Sequence, residues 1–304
     1  MNTTKPVPDV ICVDWGTTSF RAYLVRGGLA VAETQGPSGI LTVEQGTHAA
    51  VLKSLLAILP CDASALPIIM SGMIGSRQGW REAPYVAAPA SVRQIAARLV
   101  TWREAGLGAI SLIPGVMQEP EGGMPDVMRG EETQVLGALG LLGISEGTFI
   151  LPGTHSKCIK VRMDRLVSFR SFMTGEIFAA LKNHTILGRL MTDGPATGEG
   201  FRAGVLAAKD VARAGDLLNA VFGTRTLGLF GRLAGHELAH YLSGLLIGAE
   251  LCAALADGED GIVIGTGALT GRYVEAAALL GKGLRPAPEA CVVAGQLAVL
   301  EAAR

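Results

Sequence analysis

The fold is decided by the stretch Val10-Ile-Cys-Val-Asp-Trp-Gly-Thr-Thr-Ser-Phe-Arg-Ala-Tyr-Leu-Val25. Its two ends are β-branched and apolar runs, which predict a strand, a tight turn and a second strand. We expect Gly16 at the bend because a side chain there would clash. Thr17 and Thr18 offer hydroxyl and N–H groups at this bend, and such a set of donors suits phosphate oxygens.

Asp14 ends the first predicted strand, where a buried carboxylate is costly unless a cation or a hydrogen-bond donor meets it. Mg²⁺ carried by a nucleotide is a natural partner, so Asp14 is a candidate metal-facing residue. The alternative is an ordinary hairpin in which Asp14 caps its own turn.

A second copy of this layout occurs as Phe149-Ile-Leu-Pro-Gly-Thr-His-Ser-Lys-Cys-Ile-Lys-Val161. Gly153-Thr-His-Ser156 aligns with Gly16-Thr-Thr-Ser19, and each copy continues through a short turn into a third strand. This internal repeat predicts two related α/β domains facing one another, with a polyphosphate chain between the two turns. Leu151 takes the place of Asp14, so only the first copy keeps the carboxylate.

The composition indicates the broad class of the protein. The chain has 304 residues, of which 49% are apolar and 41 are glycine, and its formal net charge is −1. These values favour a well-buried α/β enzyme and imply neither a nucleic-acid-binding nor a membrane surface. The five scattered cysteines have no metal-ligand spacing and the N-terminus lacks an apolar signal core, so we expect a location in a reducing cytoplasm.

Residues 71–85 read Ser-Gly-Met-Ile-Gly-Ser-Arg-Gln-Gly-Trp-Arg-Glu-Ala-Pro-Tyr and break every regular pattern. They follow a short predicted strand, and open α/β sheets bind ligands in loops at the carboxyl ends of strands. Arg77 and Arg81 are candidates to grip a carboxylate, with Trp80 or Tyr85 as a wall. The alternative is a solvated loop around a buried tryptophan.

Residues 91–132 contain the candidates for a general base. Residues 91–105 predict a helix, and residues 115–129, rich in Gly, Pro and Met, predict a long loop of a kind that is usually functional. Asp126, Glu131 and Glu132 come close to where the predicted domains join. One of them is a candidate to take a proton from a substrate hydroxyl, but Glu131 and Glu132 equally suit a helix N-terminus.

A third Gly-rich turn occurs in Gly261-Ile-Val-Ile-Gly-Thr-Gly-Ala-Leu-Thr-Gly-Arg-Tyr273. A predicted buried strand ends at Gly265, and Gly267 permits close approach of the backbone before the next helix. As the third such turn it suits the ribose and adenine of a nucleotide, whereas alone it would indicate a plain strand-to-helix turn.

His236-Glu-Leu-Ala-His240 matches the H-E-x-x-H zinc pattern. A zinc site also needs a third protein ligand and an open position. Glu250 and Glu259 are the nearest downstream acids, and neither gives a recognisable completing motif. We therefore interpret both histidines as packing or surface residues.

Three motifs carry a resemblance to a known superfamily: Asp14-Trp-Gly-Thr-Thr-Ser19, Gly153-Thr-His-Ser156 and Gly265-Thr-Gly267. They resemble the two phosphate motifs and the adenosine motif of actin, heat-shock chaperone ATPases and sugar kinases. Over nearly its full length the chain resembles the 2-dehydro-3-deoxygalactonokinase family, most specifically in residues 71–85, 126–134 and 151–157. The second motif departs from the usual Asp-Gly-Gly form, which argues against a hydrolase or a chaperone.

This resemblance implies an α/β fold of two ribonuclease-H-like domains with an interdomain cleft, which we assign to residues 1–129 and 130–304. It implies phosphoryl transfer from ATP, with Mg²⁺, to the 6-hydroxyl of the small-molecule sugar acid 2-dehydro-3-deoxy-D-galactonate, a step of galactonate breakdown. Such a transfer needs positioning and charge neutralisation more than covalent chemistry.

The resemblance also implies roles for single residues. Asp14 orients Mg²⁺, and Glu131 or Asp126 acts on the attacking hydroxyl. The expected nucleotide ligands are Gly16, Thr17, Thr18, Gly153, Thr154, His155, Lys157, Gly265 and Gly267. The expected substrate ligands are Ser71, Arg77, Trp80, Arg81 and Tyr85.

Three other functions stay open at this point. One is a kinase for a different sugar or keto-deoxy sugar acid, and another is a phosphatase or polyphosphate-splitting enzyme of the same fold. The third is an ATP-gated binding or filament-forming module. Residues 198–214, 215–224 and 236–256 predict helices of an apolar insertion, and this insertion is compatible with a homodimer.

Overall fold

The computed structural model describes residues 9–195, 197–214, 216–265 and 267–304. Contacts divide the chain into two compact units. The first unit comprises residues 1–146, 161–168 and 288–304, and the second comprises residues 147–160 and 169–287. Within the described residues, no helix combines the length and the apolar character that a membrane span requires.

The first unit is built on a six-stranded sheet and a three-stranded sheet. Its strands are β1 (Val10–Trp15), β2 (Phe20–Arg26), β3 (Leu29–Gly36), β4 (Ile68–Ser71), β5 (Tyr85–Ala87), β6 (Ala90–Ser91), β7 (Val100–Arg103), β8 (Ala109–Leu112), β9 (Gly115–Gln118) and β10 (Asp126–Met128). Its helices up to this point in the fold are α1 (His48–Leu56), α2 (Val92–Ala96) and α3 (Glu131–Leu142). The large sheet has the order β3-β2-β1-β4-β8-β7, and the small one has the order β10-β9-β5. The remaining strand, β6, belongs to neither sheet and pairs with residues 165–166.

The second unit repeats the opening pattern of the first. Its strands are β11 (Gly147–Leu151), β14 (Gly261–Val263), β15 (Leu284–Pro286) and parts of β12 (Ser156–Arg162) and β13 (Arg165–Phe172), of which residues 161–168 fall in the first unit. Its helices are α4 (Thr174–His184), α5 (Glu199–Ala214), α6 (Leu217–Leu229), α7 (Gly235–Ala254) and α8 (Gly267–Leu279). The strands follow the order β15-β14-β11-β12-β13, and β14 is parallel to β11 just as β4 is parallel to β1. The chain closes with α9 (Cys291–Ala302), which belongs to the first unit.

The centre of the first unit is β1, whose apolar side chains are buried on both faces. It lies between antiparallel β2 and parallel β4, so neither of its edges is exposed. Trp15 and Phe20 pack edge to face at the end of this hairpin, with ring centroids 5.1 Å apart. The apolar run in the sequence therefore becomes the rigid support of the turn that follows it.

Two predictions about secondary structure are wrong. The predicted helix over residues 91–105 ends at Ala96, because the β-branched and aromatic residues from Val100 onward form β7 and pair with β8. The predicted loop over residues 115–129 contains β9 and β10, which pair with each other. Both strands have only three or four residues, and the surrounding Gly and Pro hide so short a pattern.

The predicted domain boundary after residue 129 stays a prediction. The compact units divide the chain differently, since α3 and α9 both fall in the first unit. These two helices touch backbone to backbone at Gly137 and Gly295. A Cβ at Gly137 would lie 1.8 Å from Cys291 O, and a Cβ at Gly295 would lie 1.8 Å from Thr133 O.

This contact predicts opposite effects for two glycines. Gly295→Ala is expected to lower the free energy of unfolding by at least about 2 kcal/mol, because the backbone of α3 must move away from the new methyl group. Gly140→Ala, on the exposed side of α3, has no atom within 4 Å of the new Cβ and should raise stability by up to ~1 kcal/mol. Urea unfolding of both variants measures this, and equal effects would contradict the close helix contact.

Candidate functional site

Asp14 lies at the carboxyl end of β1, opposite Ser71 at the end of β4. Its side chain is only 13% exposed, and Arg21 Nη2 lies 3.5 Å from its Oδ2. Burial raises the pKa of Asp14, and the nearby charge of Arg21 opposes that shift. A carboxylate with so little compensation inside the protein is a suitable oxygen ligand for a hard divalent cation.

The turn after Asp14 is held by the backbone. The N–H of Gly16 donates to Ser19 O at 2.9 Å. The carbonyls of Gly16 and Thr17 accept from the N–H groups of Ile40 and Leu41, which lie in a short 3₁₀ helix after β3. Thr17 is half-buried and Thr18 is exposed. The predicted steric reason for Gly16 is wrong, because a Cβ there would meet no protein atom closer than 3.5 Å. A side chain at this position would therefore make only ordinary van der Waals contact with the turn.

Two other glycines are required by the fold next to Asp14. Gly72 has φ +97°, and a Cβ there would lie 2.7 Å from Trp15 O and 3.4 Å from Asp14 Oδ1. Gly130 has φ +110°, and its Cβ would lie 3.1 Å from Gly72 Cα. Both conformations are strained for any other residue. The two glycines thus bring the start of α3 close to the carboxylate of Asp14.

The start of α3 carries two carboxylates in different environments. Glu131 is partly exposed, and its Oε2 accepts the N–H of Arg129 at 3.0 Å. Glu132 is fully buried and accepts the N–H of Gly130 and the hydroxyl of Thr133. Burial, reinforced by the neighbouring Glu131 charge, raises the pKa of Glu132 from 4.5 to about 8. Glu132 is therefore largely protonated at neutral pH.

Asp126 lies in the short strand β10, which directly precedes α3, and Ser71 lies at the end of β4. Asp126 Oδ1 accepts the N–H of Val127 at 2.8 Å. Ser71 is fully buried, and its hydroxyl oxygen accepts from Gln296 Nε2 at 2.8 Å. Ser71 thus serves the packing of the strand ends in the described structure.

The predicted substrate loop separates into exposed and buried parts. The side chain of Arg77 is 87% exposed and pairs with Glu82 at 3.6 Å. Arg81 is also exposed and lies over the ring of Trp102, 4.9 Å from its centroid. Trp80 stands edge-on to the same ring, so it is part of an aromatic cluster. The loop therefore presents its two arginines to solvent.

Tyr85 lies at the other end of this loop and is 38% exposed. The guanidinium of Arg129 lies over its ring, 4.4 Å from the centroid. Arg129 is only 6% exposed, although sequence patterns gave no reason to single it out. Its Nη2 donates to Ala83 O at 2.8 Å, which ties the loop to the start of α3.

In the second unit the corresponding turn is exposed at its tip. Thr154 and His155 are solvent-accessible, and His155 Nε2 lies 2.5 Å from Glu176 Oε2 in the first turn of α4. Lys157 is 7% exposed, and its ammonium donates to the hydroxyl of Ser171. A Cβ at Gly153 would meet only His155 O, 3.9 Å away. Packing would therefore tolerate a side chain at Gly153, as it would at Gly16.

A buried carboxylate supports this second turn from below. Glu250 of α7 is 3% exposed and accepts hydrogen bonds from the hydroxyls of Ser156, Thr174 and Tyr273. Burial raises the pKa of Glu250, and these three donors oppose the shift. Glu250 thereby joins β12, α4, α7 and α8 at one point.

The third Gly-rich turn lies beside the second phosphate turn. β14 is parallel to β11, so the residues that follow both strands meet at one edge of the sheet. A Cβ at Gly265 would lie 2.8 Å from Thr270 Oγ1 and 3.8 Å from Pro152 Cδ. Gly267 begins α8 with φ +66° and has nothing within 4 Å of its Cβ position. Thr266 of this motif lies outside the described residues.

The H-E-x-x-H residues are engaged in packing. Glu237 accepts from Thr197 and Gly200 at the start of α5. Burial raises the pKa of Glu237, but these hydrogen bonds outweigh it and hold the pKa below the usual value. His240 Nδ1 lies 2.9 Å from Arg272 Nη2. Among the residues that the structure describes, no three His, Cys, Asp or Glu side chains are grouped to hold a metal ion.

Three residues of these sites lie outside the sequence predictions: Arg129, Glu250 and Gln296. Gln296 of α9 is fully buried and donates from Nε2 to Val13 O and to Ser71 Oγ, both at 2.8 Å. A charged or amide residue inside an apolar helix was the available signal for Glu250 and Gln296. Nothing in the spacing of Arg129 distinguishes it from other arginines.

Comparison with known proteins identifies the family. A family model described as 2-keto-3-deoxy-galactonokinase matches residues 14–299. A protein of Rhizobium meliloti (strain 1021), described as a 2-dehydro-3-deoxygalactonokinase, is 38% identical over 270 residues that cover 86% of each chain. The 2-dehydro-3-deoxygalactonokinase of Escherichia coli (strain K12) is 32% identical over 275 residues, which cover 89% of this chain and 90% of that relative.

A solved structure agrees with these sequence matches. The crystal structure of a Sinorhizobium meliloti protein that is described as a 2-dehydro-3-deoxygalactonokinase matches this chain with a TM-score of 0.87 and 35% identity. The match covers 96% of each chain. This likeness confirms the predicted α/β fold. The chain belongs to the 2-keto-3-deoxy-galactonokinase family, whose members are phosphotransferases.

Proposed function

We propose that this chain transfers the γ-phosphoryl group of ATP to the 6-hydroxyl of 2-dehydro-3-deoxy-D-galactonate, giving 2-dehydro-3-deoxy-6-phospho-D-galactonate. The names of the family and of the two curated relatives support this substrate. Within the structure, the proposal rests on the Asp14 carboxylate, which is nearly buried and weakly compensated beside an open Gly-Thr turn.

Asp14 fits a nucleotide-borne magnesium ion. Mg²⁺ usually keeps several waters and binds through one or two carboxylates together with substrate phosphates, so a dedicated cluster of acids is not needed. In this proposal Asp14 would hold the ion, while Thr17 and Thr18 would donate N–H and hydroxyl groups to phosphate oxygens. Gly16, whose N–H is bonded to Ser19 O, would let the phosphates approach the backbone. MgATP supplies the transferred group, and neutralisation of its charge is the main catalytic demand.

The second unit supplies the remaining nucleotide ligands. Gly153, Thr154 and His155 offer donors to phosphate oxygens, and Lys157 adds positive charge behind that turn. Glu176 holds the ring of His155, and Glu250 holds Ser156 at the end of the turn and Thr174 at the start of α4. Gly265 and Gly267 admit the adenosine, since both are exposed at the adjacent strand end.

We assign the action on the acceptor hydroxyl to Glu131 in preference to Asp126. Glu131 is partly exposed and lies next to Gly130, which packs against Gly72 beside Asp14. Ser71, Arg77, Trp80, Arg81 and Tyr85 stay predictions for the acceptor site.

ADP release tests the substrate. The purified protein, with ATP and Mg²⁺, should give its highest kcat/KM with 2-dehydro-3-deoxy-D-galactonate and little ADP without an acceptor. The gluconate-derived epimer, D-galactonate and buffer alone complete the panel. ADP release that ignores the acceptor would indicate an ATPase or phosphatase, and a clear preference for the epimer would refute the proposed substrate.

Asp14→Asn tests the magnesium role. The change keeps the shape of the side chain but removes its charge, so kcat should fall at least about 100-fold. Stability should be retained, because burial already disfavours the charged form of Asp14. Asp9→Asn, an exposed residue just before β1, is the matched control and should behave like wild type. Near-normal turnover of a folded Asp14→Asn protein would remove Asp14 from this role.

Glu131→Gln and Glu132→Gln separate the two acids of α3. Loss of a general base typically costs 10²–10⁴-fold, so Glu131→Gln should lower kcat by roughly 100-fold or more. Glu132→Gln should keep most of the turnover, because the buried acid is largely protonated at neutral pH. Steady-state kinetics of both variants decide the assignment, and the reverse pattern would make Glu132 the functional acid.

The pH dependence of stability gives an independent check on Glu132. Its folded pKa of about 8 lies above the ordinary 4.5, so the native state holds a proton that the unfolded chain releases. The free energy of unfolding of the wild type therefore falls as pH rises through this window. In Glu132→Gln that contribution should vanish, which urea unfolding at several pH values measures.

A further inference from the structure

We propose that Arg129 binds the carboxylate of the acceptor and makes the enzyme specific for acids. This inference rests on the proposed function, in which the acceptor is a sugar acid. It gives the anion-binding role, expected from Arg77 and Arg81, to a buried arginine instead.

Arg129 has N–H donors that lack acceptors in the part of the chain that the structure describes. Its side chain is 6% exposed, and only Nη2 has an acceptor, the carbonyl of Ala83. Nε and Nη1 are buried and have no hydrogen-bond partner among the residues that the structure describes. Nε carries one N–H and Nη1 carries two, so three donors of a permanently charged group lack an acceptor. An acceptor carboxylate in this place would offset the charge and accept some of these hydrogen bonds.

The guanidinium of Arg129 is held in place before any ligand binds. Its plane lies over Tyr85, whose ring in turn packs on Gly115, where a Cβ would lie 2.7 Å from the ring Cε1. A Cβ at Gly75 would lie 3.0 Å from Arg129 Nη1, so only a small residue fits on that side. A guanidinium fixed in this way loses little conformational freedom when it binds a carboxylate.

Arg129 lies close to the proposed catalytic acid Glu131. Its own N–H donates to Glu131, and Gly130 follows it directly in contact with Gly72, beside Asp14. All of these residues belong to the first unit. The carboxylate and the reacting 6-hydroxyl stand at opposite ends of the acceptor. An anchor one residue before Gly130-Glu131 therefore fixes the acid end while the hydroxyl end reaches the base.

The exposed arginines fit this role less well. Arg77 pairs with Glu82 and Arg81 lies over Trp102, and both are surrounded by solvent. A carboxylate bound at such a place gains little, because water and salt screen the pair. The same interaction at Arg129 takes place away from water and is correspondingly stronger.

The test is a comparison of acid and neutral acceptor in Arg129→Gln, Arg129→Lys and wild type. The acceptors are 2-dehydro-3-deoxy-D-galactonate and its carboxamide, which differ only in the charge at C1. In Arg129→Gln, KM for the acid should rise about 100-fold or more while KM for ATP stays near wild type. The preference for acid over amide should collapse in Arg129→Gln and recover in part in Arg129→Lys. Arg98→Gln, an exposed arginine of the same unit, is the control and should match wild type.

The outcomes separate this proposal from the proposed function. If the wild type phosphorylates no keto-deoxy sugar acid, the proposed function fails. If the wild type is active and Arg129→Gln keeps both its KM for the acid and its preference over the amide, the Arg129 proposal is overturned. A rise in KM with Arg77→Gln or Arg81→Gln, but not with the Arg129 variants, would return the role to the exposed loop. If Arg129→Gln does not fold, the acid-to-amide ratio of Arg129→Lys decides, and an unchanged ratio overturns the proposal.

Discussion

The side-by-side pairing of β1 and β4 determines where the polar groups of the first unit can lie. Their parallel register sets Asp14 opposite Ser71, so both strands deliver a polar residue to the same edge of the sheet. Gln296 of α9 then uses both hydrogens of its amide to join Val13 O to Ser71 Oγ. The strand ends are thereby held together by the last helix of the chain, while the carboxylate of Asp14 takes no part in this network. The network fixes the strand end that carries Asp14, whose carboxylate pairs with Arg21 instead.

The two units handle a buried carboxylate in different ways. Glu250 receives hydroxyls from three separate elements, which satisfy its oxygens within the protein and leave it a structural role. Asp14 has Arg21 at 3.5 Å as its ion-pair partner, although burial raises the pKa of both acids. The cost of burying Asp14 is therefore not offset to the same extent by its own surroundings. Glu250 therefore holds its turn, and the difference is consistent with the metal role proposed for Asp14, which Leu151 replaces in the second copy.

The sequence allowed prediction of those parts of the fold that are local in the chain. The hairpins, their repeat and the Gly-rich turn before α8 are written in consecutive residues, and the structure has them where expected. Short strands such as β9 and β10 were missed because three or four residues carry too little pattern against nearby Gly and Pro. Arg129, Gln296 and Glu250 were missed for another reason. Gln296 reaches Val13 across 283 positions of the chain, and no local spacing encodes such a contact.

The glycines show which features serve the fold and which leave room for a ligand. Gly72 and Gly130 have positive φ and lie against backbone or Asp14, so the protein itself explains why no side chain is present. Gly16 and Gly153 have no such reason, since a Cβ at either would meet no protein atom closer than 3.5 Å. They occupy matching places in two repeated turns that are otherwise rich in hydroxyl and N–H donors. Packing alone does not explain why both turns lack a side chain at this place, whereas the phosphate contact that we propose for these turns would explain it.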